Sequence, residues 1–222
     1  MPLIPPRSLI RGWIAAWVTL CLTLPSLQAG EDSLDPATRE LARLRGQAIV
    51  AEAFGLLRTN LVTAVTQAGV SNALPFCSVA ALPLTTNLAA RHGVSLRRVS
   101  HRPRNPANRA TREERDLLDA FARTLKASSS IPPKVAPVIT TLSPGTVSYF
   151  APIILHPELC LKCHGLPDQD ITASDLALIR RLYPADEAVG FRLGELRGAW
   201  RVDFPASSLA SPESSPPTPA PR

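Results

Sequence analysis

The chain has 222 residues, 45% of them hydrophobic, and its 24 basic and 18 acidic side chains leave a formal net charge of +6. That length holds one domain with a sizeable core and excludes two ordinary ones, and so mild a charge does not mark a dedicated polyanion binder. Four cysteines, four histidines and a single methionine are few enough for each to be assigned a fate.

The first 29 residues carry Arg7 and Arg11, then the apolar run 13–24, a break at Pro25 and the small residues Ala29-Gly30. This is the pattern of a secretory signal peptide, with the apolar run short of the ~18 residues a membrane span needs. Cleavage after Ala29 predicts an exported, periplasmic chain with a net charge of about +4, since two arginines and no acids are lost. A membrane location follows only if the segment stays uncleaved. Cys21 lacks the small residues that precede a lipidated cysteine.

Residues 34–68 predict a long helix. Asp35-Pro36 is a start signal, and Leu41, Leu44, Ala48, Ala51, Phe54, Leu57, Leu61 and Val65 recur at three- and four-residue steps, the period of one buried face. Gly69 stops it. A second helix runs from Ser71-Asn72 to Gly93, with Pro75 tolerated in its first turn and Cys77 on its apolar side. Residues 94–100 alternate as a strand and lead into His101-Arg102-Pro103-Arg104-Asn105-Pro106-Ala107-Asn108-Arg109, a basic loop for which export disfavours a nucleic-acid partner.

Thr111 and Glu114 form a capping box that opens an amphipathic helix carrying Leu117, Leu118, Phe121 and Leu125 and ending at Ser128. Residues 135–142 and 146–155 predict a hairpin around Ser143-Pro144-Gly145. It delivers the chain to Cys160-Leu161-Lys162-Cys163-His164-Gly165. Two cysteines separated by two residues and followed by histidine form the attachment signal for c-type haem. Each thiol adds to one vinyl group to make a thioether, and the adjacent histidine places a ring nitrogen on the iron. A thioredoxin-type dithiol and half a zinc site are the competing readings, and zinc lacks a second close ligand pair. A short helix at 173–182, a strand at 198–204 and a Pro/Ser-rich tail from 206 to 222, expected to be disordered, complete the chain. Helices followed by an antiparallel sheet with helical insertions make an α+β layout.

The ligand inventory narrows the iron site. Met1 is the sole methionine and leaves with the signal peptide, so a His/Met iron is excluded. The sixth position is left to Cys77, His92, His101, His156 or an open site. Once Cys160 and Cys163 are consumed, Cys77 is a lone thiol in an oxidising compartment, where it is buried, paired between chains or used. Arg104 and Asn105 are candidate partners for the haem propionates, because a guanidinium pairs bidentately with a carboxylate.

Cys77 with its Ala/Leu-rich helix, Arg97-Arg98-Val99-Ser100, Arg104-Asn105-Pro106-Ala107-Asn108, residues 160–165, Tyr183-Pro184-Ala185-Asp186 with Gly190-Phe191, and Gly194-Glu195-Leu196-Arg197-Gly198-Ala199 occur together and in order. In this combination, over about residues 35–204, the chain resembles the c-type haem family of exported single-haem domains of unknown function. The resemblance implies a PAS-like fold over 30–205 and one covalent haem c whose iron is held by the motif histidine and a cysteine of the early helix, positions matched by His164 and Cys77. It implies redox or gas sensing, with a diatomic gas or a redox partner protein as the interacting species. With no transmitter module after the domain, output would pass through a separate partner. A low-potential electron-transfer cytochrome is the alternative. A peroxidase-like enzyme would need His92 or His101 as an acid/base group, and no enzymatic activity is expected.

Overall fold

The computed structural model describes residues 34–128 and 134–210. The signal segment and the tail beyond residue 210 lie outside the described residues.

Helix α1 (Pro36–His92) is one element by its hydrogen bonds but two arms by its geometry. The Asp35 carboxylate accepts from the Thr38 N–H at 2.9 Å and Pro36 sits at the first position, so both expected start signals act. At Ala68 (φ −148°) and Gly69 (φ 76°) the backbone leaves helical geometry. A positive φ is cheap only without a Cβ, so the kink falls at the glycine expected to end the first helix. The second arm runs back beside the first: Glu52 receives Arg91 at 3.0 Å and lies 2.8 Å from His92, residues about forty positions away. Gly93, left-handed at φ 63°, caps the end.

The sheet consists of β1 (Ser95–Val99), β2 (Val138–Ser143), β3 (Thr146–Ile154) and β4 (Leu196–Pro205), antiparallel throughout in the order β1-β4-β3-β2. The expected hairpin is β2–β3. Its first strand starts three residues late, after Pro137, which has no N–H to give a ladder.

Period-two alternation sends the strands' side chains to two layers. On one face Val147, Tyr149, Trp200, Val202 and Phe204 pack against Ala42, Ile49, Ala53 and Leu88 of α1. The first arm comes so close that a Cβ on Gly46 would overlap the Tyr149 ring. On the other face Val99, Phe150 and Ala199 meet Leu118 and Phe121 of helix α2 (Arg112–Ala127). Burying a phenylalanine of this kind contributes about 2–3 kcal/mol.

Two short helices follow the hairpin, α3 (Leu161–His164) and α4 (Ala173–Leu182), the latter with the bounds expected for it. Ile171, Leu176 and Ile179 pack against Leu74 of α1. The molecule is thus α+β, with a four-stranded antiparallel sheet, a long N-terminal helix on one face, α2 on the other and further short helices. Order continues past the expected domain end at 205: residues 206–208 form a 3₁₀ turn, Leu209 is buried in the α1-face core, and Arg45 donates to the Ser208 carbonyl at 2.8 Å.

Among the described residues one stretch, Pro36–Pro75, is long and apolar enough to cross a membrane by length and composition, with 11% of its most apolar window buried. Its Ala42, Ile49 and Ala53 are part of the core.

Candidate functional site

Strand β3 ends where the cysteine motif begins. A 3₁₀ turn at Glu158–Cys160 runs directly into α3, so both cysteines and the histidine are presented by one tight coil. Cys160 packs against Leu155, Ala188 and Phe191, and Cys163 against the Ile171–Leu176–Ile179 cluster. Gly165 is required next: a Cβ there would collide with Asp170 and the Leu161 carbonyl. Asp170 in turn accepts from the Leu166 N–H at 2.8 Å and closes the loop.

The segment after α4 holds this coil in place. Gly190 N–H donates to the Gly165 carbonyl at 2.7 Å and Phe191 N–H to the His164 carbonyl at 2.9 Å. The His164 ring donates its Nδ1–H to the Ala188 carbonyl at 2.7 Å. A carbonyl only accepts, so this contact fixes the tautomer and leaves Nε2 with a free lone pair, the arrangement that prepares an imidazole to bind a metal ion. Burial, with the charges of Arg197, Arg104 and Arg98, pushes the ring's pKa well below its ordinary value, so it is neutral as a ligand must be.

Burial likewise raises the Cys160 thiol and pushes Cys163 up to about 11 despite the nearby Arg104. A redox-active dithiol has the opposite character, a lowered thiol pKa. Among the described residues no three His, Cys, Asp or Glu side chains converge to hold a metal ion by themselves, so the zinc reading finds no ligand set there.

Cys77, 83 positions before Cys160, is half-buried on the second arm of α1. Burial raises its pKa against the pull of Arg98 and Arg104, and its charge is felt by Cys163 and Tyr183. Leu74, three residues earlier on the same arm, packs in the cluster that also takes Cys163. The histidines weighed against it are placed differently. His92 is beside Glu52, His101 lies 2.9 Å from Asp119 of α2, and His156 is exposed.

Arg104 is a strut between segments. Its Nε and Nη2 lie 3.1 and 3.3 Å from the two Asp186 oxygens, and Nη2 also donates to the Cys163 carbonyl at 2.6 Å. Asp186 accepts from the Ala188 N–H at 2.9 Å, so one ion pair positions both the motif and the peptide that orients His164. Asn105 caps the 3₁₀ turn Pro106–Asn108 by accepting from the Ala107 N–H at 3.0 Å.

Sequence reasoning gave Arg98 and Arg197 no role in this site, although both lie in stretches that carry the resemblance. Arg98 was identifiable by strand alternation, which turns it away from Arg97 and Val99 and lays it over Trp200, 5.8 Å from the ring centre. Arg197 and Arg102 sit 5.4 and 4.2 Å from the Phe191 ring, whose edge meets His164.

The family model described as Tll0287-like (Tll0287) matches residues 31–205 and so takes in every one of these side chains. The chain belongs to the Tll0287-like family. The crystal structure of the cyanobacterial heme-protein Tll0287 matches with a TM-score of 0.50 at 24% identity, over 72% of this chain and 95% of that one. At that identity the likeness speaks for the Tll0287-like fold. No curated protein sequence shows a significant match.

Proposed function

We propose that the chain is an exported single-haem protein of c type, with haem attached through Cys160 and Cys163, His164 and Cys77 as axial ligands, and a role in redox or gas sensing within a PAS-like fold. The observation that carries this is the committed Nδ1–H of His164, which leaves Nε2 free on a neutral ring next to two unpaired thiols. Membership in the Tll0287-like family and the haem of the cyanobacterial homologue support the same cofactor, and the apolar segment 13–24 supports export.

The residues present fit the group. Two half-buried free thiols at the required spacing are available, a third free thiol is half-buried on α1, and the buried Nε of Arg197 has no partner. When bound, haem supplies a one-electron iron couple and a coordination position for which a thiol and a diatomic gas compete. Cys77 is the residue that makes the site switchable. It stands on the arm of α1 beyond the Gly69 kink, so its release bears on a long helix and, through that helix, on a partner protein.

The test is to express the full chain with c-type haem maturation. Haem should remain with the polypeptide in denaturing electrophoresis and be lost when Cys160 and Cys163 are both changed to Ser. The oxidised spectrum should carry a thiolate signature that Cys77→Ala removes, and the reduced protein should bind carbon monoxide or nitric oxide. Haem that stays with the double Ser variant refutes the attachment, and an unchanged Cys77→Ala spectrum removes the thiol from the iron. A wild-type spectrum indifferent to gas makes the chain a low-potential electron carrier instead.

A further inference from the structure

We infer, resting on the haem reading, that Arg98 and Arg197 are the residues that hold the two haem propionates, and that Arg104 serves as a strut.

Four guanidinium groups, those of Arg98, Arg102, Arg104 and Arg197, converge at the site, and their partners differ. Arg104 is paired with Asp186 and bonded to Cys163 O. Arg102 spends its fork on backbone, donating from Nε to the Glu187 carbonyl at 3.1 Å and from Nη2 to that of Val189. Arg197 donates only through Nη1, to Ser100 Oγ at 2.8 Å and the Arg102 carbonyl at 2.9 Å, and its Nε is buried with no partner. The Arg98 side chain lies over Trp200 and is exposed, and among the described residues it has no side-chain hydrogen bond or ion pair.

Two cations are thus left open, and the prosthetic group carries two carboxylates. For Arg197 the cost is desolvation: a buried N–H without an acceptor is unfavourable, and a guanidinium does not shed its proton to escape it. The crowding is evident at Arg197: burial, and then the charges of its arginine neighbours, pushes it down to about 9. Anionic oxygens relieve that cost, and planar carboxylates match the fork bidentately. Both arginines act on His164, and Arg98 also on Cys77, so the demand for negative charge adjoins the proposed iron ligands.

The experiment is a potentiometric titration of the haem-loaded full chain over pH 5–9, comparing wild type with Arg98→Gln, Arg197→Gln and the corresponding Lys variants. Ion-paired propionates stay ionised through this range, so the wild-type oxidised-to-reduced ratio at fixed poise should not vary with pH. Each Gln variant should shift the ratio at least about threefold towards the oxidised form, because a cation that favours the added electron is gone. It should also acquire a pH dependence as a freed propionate takes up a proton on reduction. Lys should restore part of the shift. Infrared carboxylate bands of the wild-type protein give a second readout if a Gln variant fails to accumulate: ion-paired propionates resist protonation at about pH 5, where free ones begin to titrate.

Haem-loaded variants with the wild-type potential and pH profile overturn the proposal, as do wild-type carboxylate bands that protonate near that pH. Loss of the thiolate signature in Arg98→Gln without a change of pH profile overturns it in favour of a role at Cys77. A wild-type chain that carries no haem defeats the haem reading itself, a result distinct from these.

Discussion

Arg97 and Arg98 are neighbours in β1 with opposite circumstances. Arg97 points to the α2 face, where Glu114 receives it together with Arg201, at 2.6 Å for the latter. Arg201 also reaches Asp203 at 2.8 Å, and Asp203 accepts from Ser148 Oγ at 2.6 Å. Two cations meet two carboxylates, and the network is closed. Arg98 points to the α1 face, into a cluster of four arginines with one buried carboxylate, Asp186. The comparison teaches where to look for a ligand. A chain that pairs its arginines on one side of a sheet and leaves them in excess of carboxylates on the other has an anion still to receive on the second side.

The closed side should break hardest. Glu114 is fully buried, accepts from Thr111 N–H at 2.8 Å in the capping box and holds both arginines. Glu114→Ala leaves Arg97 unpaired and takes from Arg201 one of its two carboxylates, and should cost about 3–5 kcal/mol, read as a fall in the denaturant midpoint. Burial alone would raise this carboxyl, but the Thr111 N–H, Arg201 and Arg97 outweigh it and the pKa lies below its ordinary 4.5. A depressed carboxyl stabilises the fold fully above the unfolded value and loses that contribution as pH falls through the folded one. Acid unfolding of the wild type should therefore begin below about pH 4.5, and Glu114→Gln should flatten that limb of the profile. A variant as stable as wild type at neutral pH would remove the network from the account.

On the open side the corresponding break is smaller in stability and larger at the site. Asp186→Ala frees Arg104 and the Ala188 N–H, and should cost about 1–3 kcal/mol. It also loosens the peptide whose carbonyl orients His164, so haem-loaded protein should show an altered axial-ligand spectrum, whereas Glu114→Gln should not. Equal spectral effects would mean that the two faces are not separable.

How much of this the sequence makes legible depends on the range of each interaction. Gly69, Gly93, the Thr111–Glu114 box and the Ser143-Pro144-Gly145 turn act over a few residues, and the structure places helix ends and the hairpin at them. The second duty of Glu114 was not legible, because it depends on a register that sets Arg97 opposite Arg201, 104 positions away. The tautomer of His164 depends on a backbone carbonyl, which leaves no mark on residue identity. Cys77, His164 and the two motif cysteines announce themselves by type. Arg104 announced itself too, but only its partner Asp186 reveals what it is bonded to.

Replacing each neighbour by Leu sharpens the contrast. Arg97→Leu strands part of the Glu114 charge and should lower the unfolding midpoint. Arg98→Leu removes an unpaired, crowded cation and keeps apolar cover over Trp200, so the haem-free midpoint should rise slightly or stay unchanged. A loss from Arg98→Leu as large as that from Arg97→Leu would show that Arg98 has a protein partner after all.

The smallest effect belongs to Arg109 and Glu187, which pair on the surface with half of each side chain exposed. The hydrogen bond between them raises Arg109 and lowers Glu187, so their attraction is real. Exposure decides its worth, because water screens the pair and two long side chains must be held still to keep it. The loop does not depend on it: Glu187 is tied by its backbone, through N–H to Pro103 O at 3.0 Å and through C=O to Arg102 Nε. Arg109→Ala should leave the unfolding midpoint and the haem spectrum unchanged at low and high salt. If it destabilised the protein as Glu114→Ala does, burial would not be what separates an arginine that matters from one that does not, and the inference drawn from the buried Nε of Arg197 would lose its footing.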